Sequence, residues 1–195
     1  MPVLAFPSKS AWEAWLEKPH ETSEGVWLKM ARKGSGVDSI THDEAVEVAL
    51  CYGWIDGQAK RIGDAHWLQR FTPRTTRSRW SKINRERALE LIAAGRMKPA
   101  GRRAVEAAQA DGRWDAAYEP PSKATVPDDL RRELERHPRA RRLFEQLDSQ
   151  NRYAILYRLQ DAKRPETRER RLAQFVAMLD EGKTIYPRPS GKMGR

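Results

Sequence analysis

The chain has 195 residues, 39% hydrophobic and 33% charged, a polar make-up that still supplies a core and excludes wholesale disorder. Its single cysteine, Cys51, excludes an internal disulfide framework, and no apolar run approaches membrane-spanning length. The formal net charge of +10 points to anionic partners only if it is concentrated, since dispersed cations bring little beyond solubility.

In chain order, Met1-Pro2-Val3-Leu4-Ala5-Phe6-Pro7 lacks the basic flank and the apolar length of a signal peptide, so the expected compartment is the reducing cytoplasm. Ser10 and Glu13 have capping-box spacing, and Trp12, Trp15 and Leu16 recur at helical intervals behind them. Gly25–Arg32 alternates as a strand, with Val26, Leu28 and Met30 on one side. Lys33-Gly34-Ser35-Gly36 is a turn. Thr41 and Glu44 form a second capping box before a helix striped by Ala45, Val48, Ala49 and Tyr52.

Trp54–Ile62 and His66–Pro73 then read as two strands joined through Gly63-Asp64-Ala65 in a β-hairpin. Ser81 suits the cap of a helix that stops at Gly95, and Pro99 opens another that ends near Gly112. Tyr118-Glu119-Pro120-Pro121-Ser122-Lys123 is a Pro-rich boundary. Beyond it the pattern is all helix, with starts at Pro127-Asp128-Asp129, Pro138, Ser149 and Pro165, the last carrying Leu172, Phe175, Val176 and Leu179. Pro187 to Arg195 reads as a frayed tail.

The predicted fold class is therefore α+β. A small, mostly antiparallel sheet packs with helices over residues 1–118, a Pro-rich linker spans 119–127, an all-helical C-terminal unit covers 128–183, and a tail occupies 184–195.

The charge is concentrated. Between Lys60 and Arg103 thirteen cations stand against Asp64, Glu86 and Glu90, an excess of ten, and the other 24 cations and 24 anions cancel. This segment contains most of the hairpin. Opposed residues of an antiparallel pair share a face, and a turn centred on Asp64 pairs Asp56 with Thr72, Gln58 with Arg70 and Lys60 with Leu68. Asp56, Gln58, Lys60, Arg70 and Thr72 then line a polar face opposite Ile55, Gly57, Ala59, Trp67 and Phe71. Gly53 and Gly57 flank Trp54-Ile55-Asp56, where glycine permits close approach by backbone or ligand.

Downstream, Arg70, Arg74, Arg77, Arg79 and Lys82 lead into the helix after Ser81. Its N–H groups and positive end, with hydroxyls from Ser78 and Ser81 and Trp80 to stack, suit an oxyanion, a phosphate or nucleic acid. Asn84 and Arg87 lie on the same helix. Solvated strands and a solvated basic loop would give the same pattern. His20, His42, His66 and His137 stand far apart without metal-ligand spacing, Cys51 follows an apolar stripe, and no nucleotide-binding or hydrolase fingerprint is present. Neither a metal nor a cofactor is expected.

Cys51-Tyr52-Gly53-Trp54-Ile55-Asp56-Gly57-Gln58, Arg70-Phe71-Thr72-Pro73-Arg74, Ser78-x-Trp80-Ser81 and Asn84-x-x-Arg87 together resemble the bacterial YdeI/OmpD-associated family, some of whose members are called bacteriocin-protection proteins. Gly95 to Gly101 and Asp111 to Trp114 continue the resemblance, and Asn151 to Leu179 is similar to the family's helical C-terminal region. The resemblance implies protection against bacteriocins or antimicrobial peptides and carries over no catalytic residue.

Three readings stand. In the first, a binding module holds an anion, nucleic acid or a phosphorylated or carboxylated small molecule through Trp54, Gln58, Lys60, Arg70, Thr72, Arg74, Arg77, Ser78, Trp80, Ser81, Asn84 and Arg87. In the second, an enzyme uses Asp56 as acid or base on a small anionic or amide-containing substrate. In the third, an adaptor binds a protein partner through the C-terminal helices.

Overall fold

The computed structural model describes residues 1–18, 23–120 and 123–187. His20, Pro121, Ser122 and the tail from Arg188 onward, all read above from sequence, lie outside the described residues. Two compact units divide the chain, Met1–Ala117 and the part from Tyr118 on.

In the first unit the elements run β1 (Val3–Leu4), α1 (Lys9–Leu16), β2 (Val26–Ala31), α2 (His42–Cys51), β3 (Trp54–Arg61), β4 (His66–Pro73), α3 (Lys82–Ala93) and α4 (Pro99–Ala110). The strands form one sheet in the order β1-β2-β4-β3, antiparallel except for the parallel pair β1–β2. Val26, Leu28, Met30 and Phe71 are buried on one face of this sheet. Against that face pack Trp12 and Leu16 of α1 and the apolar side of α2. The Trp12 ring stacks with Trp15 at 5.2 Å and meets the edge of Trp54 at 6.2 Å, while its indole N–H donates to Ala45 O at 3.2 Å. Aromatic packing of this kind adds roughly 0.5–1.5 kcal/mol per pair beyond the buried area.

The α2 capping box at Thr41 and Glu44 is present in both directions. Two expected caps shift by one or two residues: Ser8, not Ser10, accepts from the first turn of α1, and Asp148, not Ser149, caps the third helix of the second unit. The end of α2 passes very close to α4. Gly53 turns the chain with φ +73°, and a β-carbon there would lie 2.8 Å from Ala100 O. Lys98 N donates to Cys51 O at 3.1 Å across the same junction. Cys51 is buried, and that burial pushes its thiol pKa up, which makes it a core residue and a poor nucleophile.

The second unit holds α5 (Asp128–Arg136), α6 (Pro138–Glu145), α7 (Ser149–Gln160) and α8 (Pro165–Asp180). They close around Leu130, Leu134, Phe144, Ile155, Leu159 and Val176. Prolines at the first turns of α6 and α8 supply helical φ where no N–H partner is needed. The Arg168 fork from α8 grips Asp129 of α5 at 2.6 and 2.9 Å and also donates to Leu159 O at the end of α7. Among the described residues no helix is long and apolar enough to cross a membrane.

Candidate anion-binding site

Sequence pattern puts Asp56, Gln58, Lys60, Arg70 and Thr72 on one face of the hairpin, and the structure divides them. Near the turn the register is as expected, with Lys60 opposite Leu68 and Ala59 opposite Gln69. Between Asp56 and Ala59 the register shifts, so Asp56 faces Phe71, Ile55 faces Thr72 and Trp54 faces Pro73. Gly57 and Gln58 together stand opposite Arg70. One extra residue in a strand flips every side chain beyond it to the other face. Asp56 therefore lies on the helix-covered side with Trp54 and Phe71, while Lys60, Arg70 and Thr72 lie on the opposite side with Trp27. Gln58 is exposed at the bulge.

Buried Gln69 explains how the bulge is tolerated. Its amide donates to Gly57 O at 2.9 Å and to Asp56 Oδ2 at 3.4 Å, pairing a carbonyl that the broken ladder leaves over. The same Asp56 oxygen lies 3.4 Å from His42 Nε2 at the start of α2. The Asp56 side chain is 28% exposed and that of His42 42%. His42, dismissed on spacing, thus meets Asp56 through tertiary structure.

The basic loop after β4 is built differently from the expected phosphate cradle. Trp80 is only 2% exposed and cannot stack a ligand. Its ring is covered by the Arg74 guanidinium at 3.6 Å and met by Trp114 at 4.9 Å, a desolvated cation–π contact of about 2 kcal/mol. Arg74 also donates to Arg79 O. The Ser78 hydroxyl accepts from Thr75 N at 2.9 Å and closes the loop. Ser81 caps α3 by accepting from Asn84 N at 3.1 Å, so both hydroxyls serve the backbone. Trp54 belongs to the aromatic core, Arg77 is exposed, and Arg87 lies 3.8 Å from Asp43.

What the segment does form is a cleft of about 510 Å³ between this loop and α4. Arg74, Arg103 and Arg113 line it with Thr75 and Thr76, and Tyr52, Gly53 and Trp54 form its back. Every charged residue lining it is cationic. Ala100, Ala104 and Ala107 keep the α4 wall low, so that Arg103 reaches the opening. Arg113 is held in place: its Nε donates to both Asp111 carboxylate oxygens at 2.7 and 2.8 Å, and its Nη1 to Ser78 O at 2.9 Å. Of the residues expected from sequence, Arg74 and Trp54 reach this cleft. Arg103, Arg113, Thr75 and Thr76 were missed, although the Ala-x-x-Arg-Ala-x-x-Ala spacing on α4 carries a readable signal. Larger hollows in the second unit carry both signs of charge: Glu133, Asp180 and Glu181 with Arg139 in one, Asp161 with Arg158 in the other. Among the described residues no group of three or more metal-ligating side chains gathers.

Residues 4–104 match the model of a domain of unknown function (DUF8412). Residues 123–182 match the family described as bacteriocin-protection, YdeI or OmpD-associated, the family that the motifs resemble. The hairpin motifs lie in the first match and the helices α5–α8 in the second. No curated protein and no solved structure matches the chain.

Proposed function

The chain belongs to the DUF8412 family and carries a YdeI- or OmpD-associated domain, and from that premise we propose a bacteriocin-protection-type protein that works by binding an anion. The observation that carries the reading is the cleft of Arg74, Arg103 and Arg113, one sign of charge around hydroxyls and a low helix wall. Arginines lining one space suit a phosphate or a carboxylate, because the N–H groups of a guanidinium match those oxygens.

Charge also bears on how protection would work. Antimicrobial peptides are rich in Lys and Arg, and a protein of net charge +10 repels them. Capture of the peptide is disfavoured, and occupation of an anionic molecule that the peptide would otherwise engage is favoured. The reading places the protein in the cytoplasm, and cell fractionation tests that placement.

The test is a melting series in inorganic phosphate and citrate at constant ionic strength. A saturable rise in Tm, lost in Arg103→Glu, supports the cleft. A rise that does not saturate, or that survives Arg103→Glu, removes it.

Contact between His42 and Asp56 favours a second reading, acid–base chemistry at the rim of the sheet with Asp56 orienting His42. Mass-spectrometric turnover screens of amide and carboxylate substrates, comparing wild type with Asp56→Asn, test it. Turnover equal in both removes it.

A further inference from the structure

The sheet face opposite the helices carries its own pattern. Pairing across β1, β2 and β4 puts Val3, Trp27 and Arg70 in one row, and Lys29, Leu68 and Lys60 in the next. Ala31 and His66 follow, and Ile55 and Thr72 close the other end. Whereas Val26, Leu28 and Phe71 on the covered face are wholly buried, Val3, Lys29 and Lys60 are exposed and Trp27, Leu68 and Arg70 are half-buried. Among these strand positions no Asp or Glu occurs, because the bulge sends Asp56 to the other side.

Lys60 Nζ sits 4.5 Å over the Trp27 ring, and Arg70 is the residue paired beside that ring on β4. The Arg70 Nε is buried without a hydrogen-bond partner. An aromatic ring flanked by cations on an open sheet suits single-stranded nucleic acid, offering one π-face for a base and cations for the phosphates around it. Duplex DNA is disfavoured, since its bases are already stacked and the face is neither a helix nor a ribbon that enters a groove.

We propose that this face is a platform for single-stranded nucleic acid, on which Trp27 stacks a base while Lys29, Lys60 and Arg70 contact phosphates. Lys60 occupies the ring in the free protein and moves to a phosphate when a base takes its place. The site shares no residue with the arginine cleft and stands or falls apart from it.

The experiment is a fluorescence-anisotropy titration of the full chain with a labelled thymidine dodecamer over a range of salt, with tryptophan quenching followed in parallel. With three phosphate contacts, log K should fall with log salt at a slope of about −2. Lys60→Glu should abolish detectable binding. Lys60→Ala should lower the slope by about 0.7. Trp27→Ala should weaken binding roughly ten-fold or more. If Trp27→Ala does not fold, the exposed Lys60 variants decide alone, with circular dichroism to check folding.

Arg103→Glu is the control for the cleft and should leave oligonucleotide binding within two- to three-fold of wild type. No binding at low salt overturns the proposal. So does binding that Arg103→Glu abolishes and Lys60→Glu does not, or Lys60-dependent binding to anionic lipid vesicles without any to the oligonucleotide.

Discussion

A β-carbon on Gly57 would stand 3.2 Å from Nε of Arg70. The bare backbone at the bulge leaves the room that the guanidinium occupies. Gly57→Ala should displace it at little cost in stability, because the position is exposed and alanine gives up less backbone entropy than glycine on folding. The expected result is a Tm within a few degrees of wild type, a shifted Arg70 Nε–Hε signal by NMR, and oligonucleotide affinity several-fold weaker. An unmoved Arg70 signal would show that the guanidinium does not depend on the missing side chain.

Gly101 presents the opposite case. A β-carbon there would fall 2.3 Å from Cys51 O and 2.8 Å from Leu50 O, and both are backbone atoms of α2 that cannot swing aside. Alanine gains up to about 1 kcal/mol of helix propensity over glycine, but separating two packed helices costs roughly 1–3 kcal/mol. Gly101→Ala should therefore lower stability in a denaturant melt. A neutral or stabilising result would mean that α2 and α4 are not in this contact.

Much of this geometry is readable in the chain and some is not, for specific physical reasons. The capping box at Thr41 and Glu44, the strand pairs, Gly95 as a helix stop and the prolines at 138 and 165 are local signals, and each element stands where its signal puts it. The hairpin register failed past Gly57 because pairing by constant sum assumes an unbroken ladder. An isolated glycine within a strand is itself the sign of a bulge, and Gln69, polar at a core position, is the side chain that satisfies it. Trp80 looked available for stacking because a ring among arginines reads alike whether it faces solvent or a covering guanidinium. Only the fold shows Arg74 and Trp114 closing over it. His42 and Asp56 are 14 positions apart, and no spacing rule joins the first residue of a helix to the next strand.

The cleft separates two arginines by their exposure. Arg103 is exposed on α4, whereas Arg113 ties the loop together through Asp111 and Ser78 O. Arg103→Ala should weaken phosphate binding with Tm nearly unchanged. Arg113→Ala should do both, weakening phosphate binding and destabilising the fold by roughly 1–3 kcal/mol, since Ser78 O, Thr75 O and the Asp111 carboxylate lose their donor. Calorimetric titration and a melt on the same samples check the pair. Equal losses of stability would show that the two side chains do not have the separate roles the contacts imply.

In the second unit, stability toward acid should run through Asp129. The hydrogen bonds from Arg168 hold its carboxyl below the ordinary range, outweighing burial, which acts the other way. A carboxylate whose folded pKa is depressed binds its proton more readily in the unfolded chain. Its contribution is therefore complete above the ordinary value near 3.8 and is lost as pH falls from there through the lower folded value. Both side chains are under a third exposed, at 29% and 28%, and a partly shielded fork of this kind contributes roughly 1–2 kcal/mol. Asp129→Asn should lower Tm at neutral pH, and the gap to wild type should narrow as pH drops below about 4. The difference between the two proteins is the quantity to follow, because Glu47, held below its ordinary range by Lys9 and Arg96, adds its own acid limb in the first unit. Arg168→Lys should fall between them at neutral pH, keeping the charge and losing the two-pronged geometry. A gap that stays constant from neutral pH down to pH 3 would mean that Asp129 is not held in its charged form by Arg168.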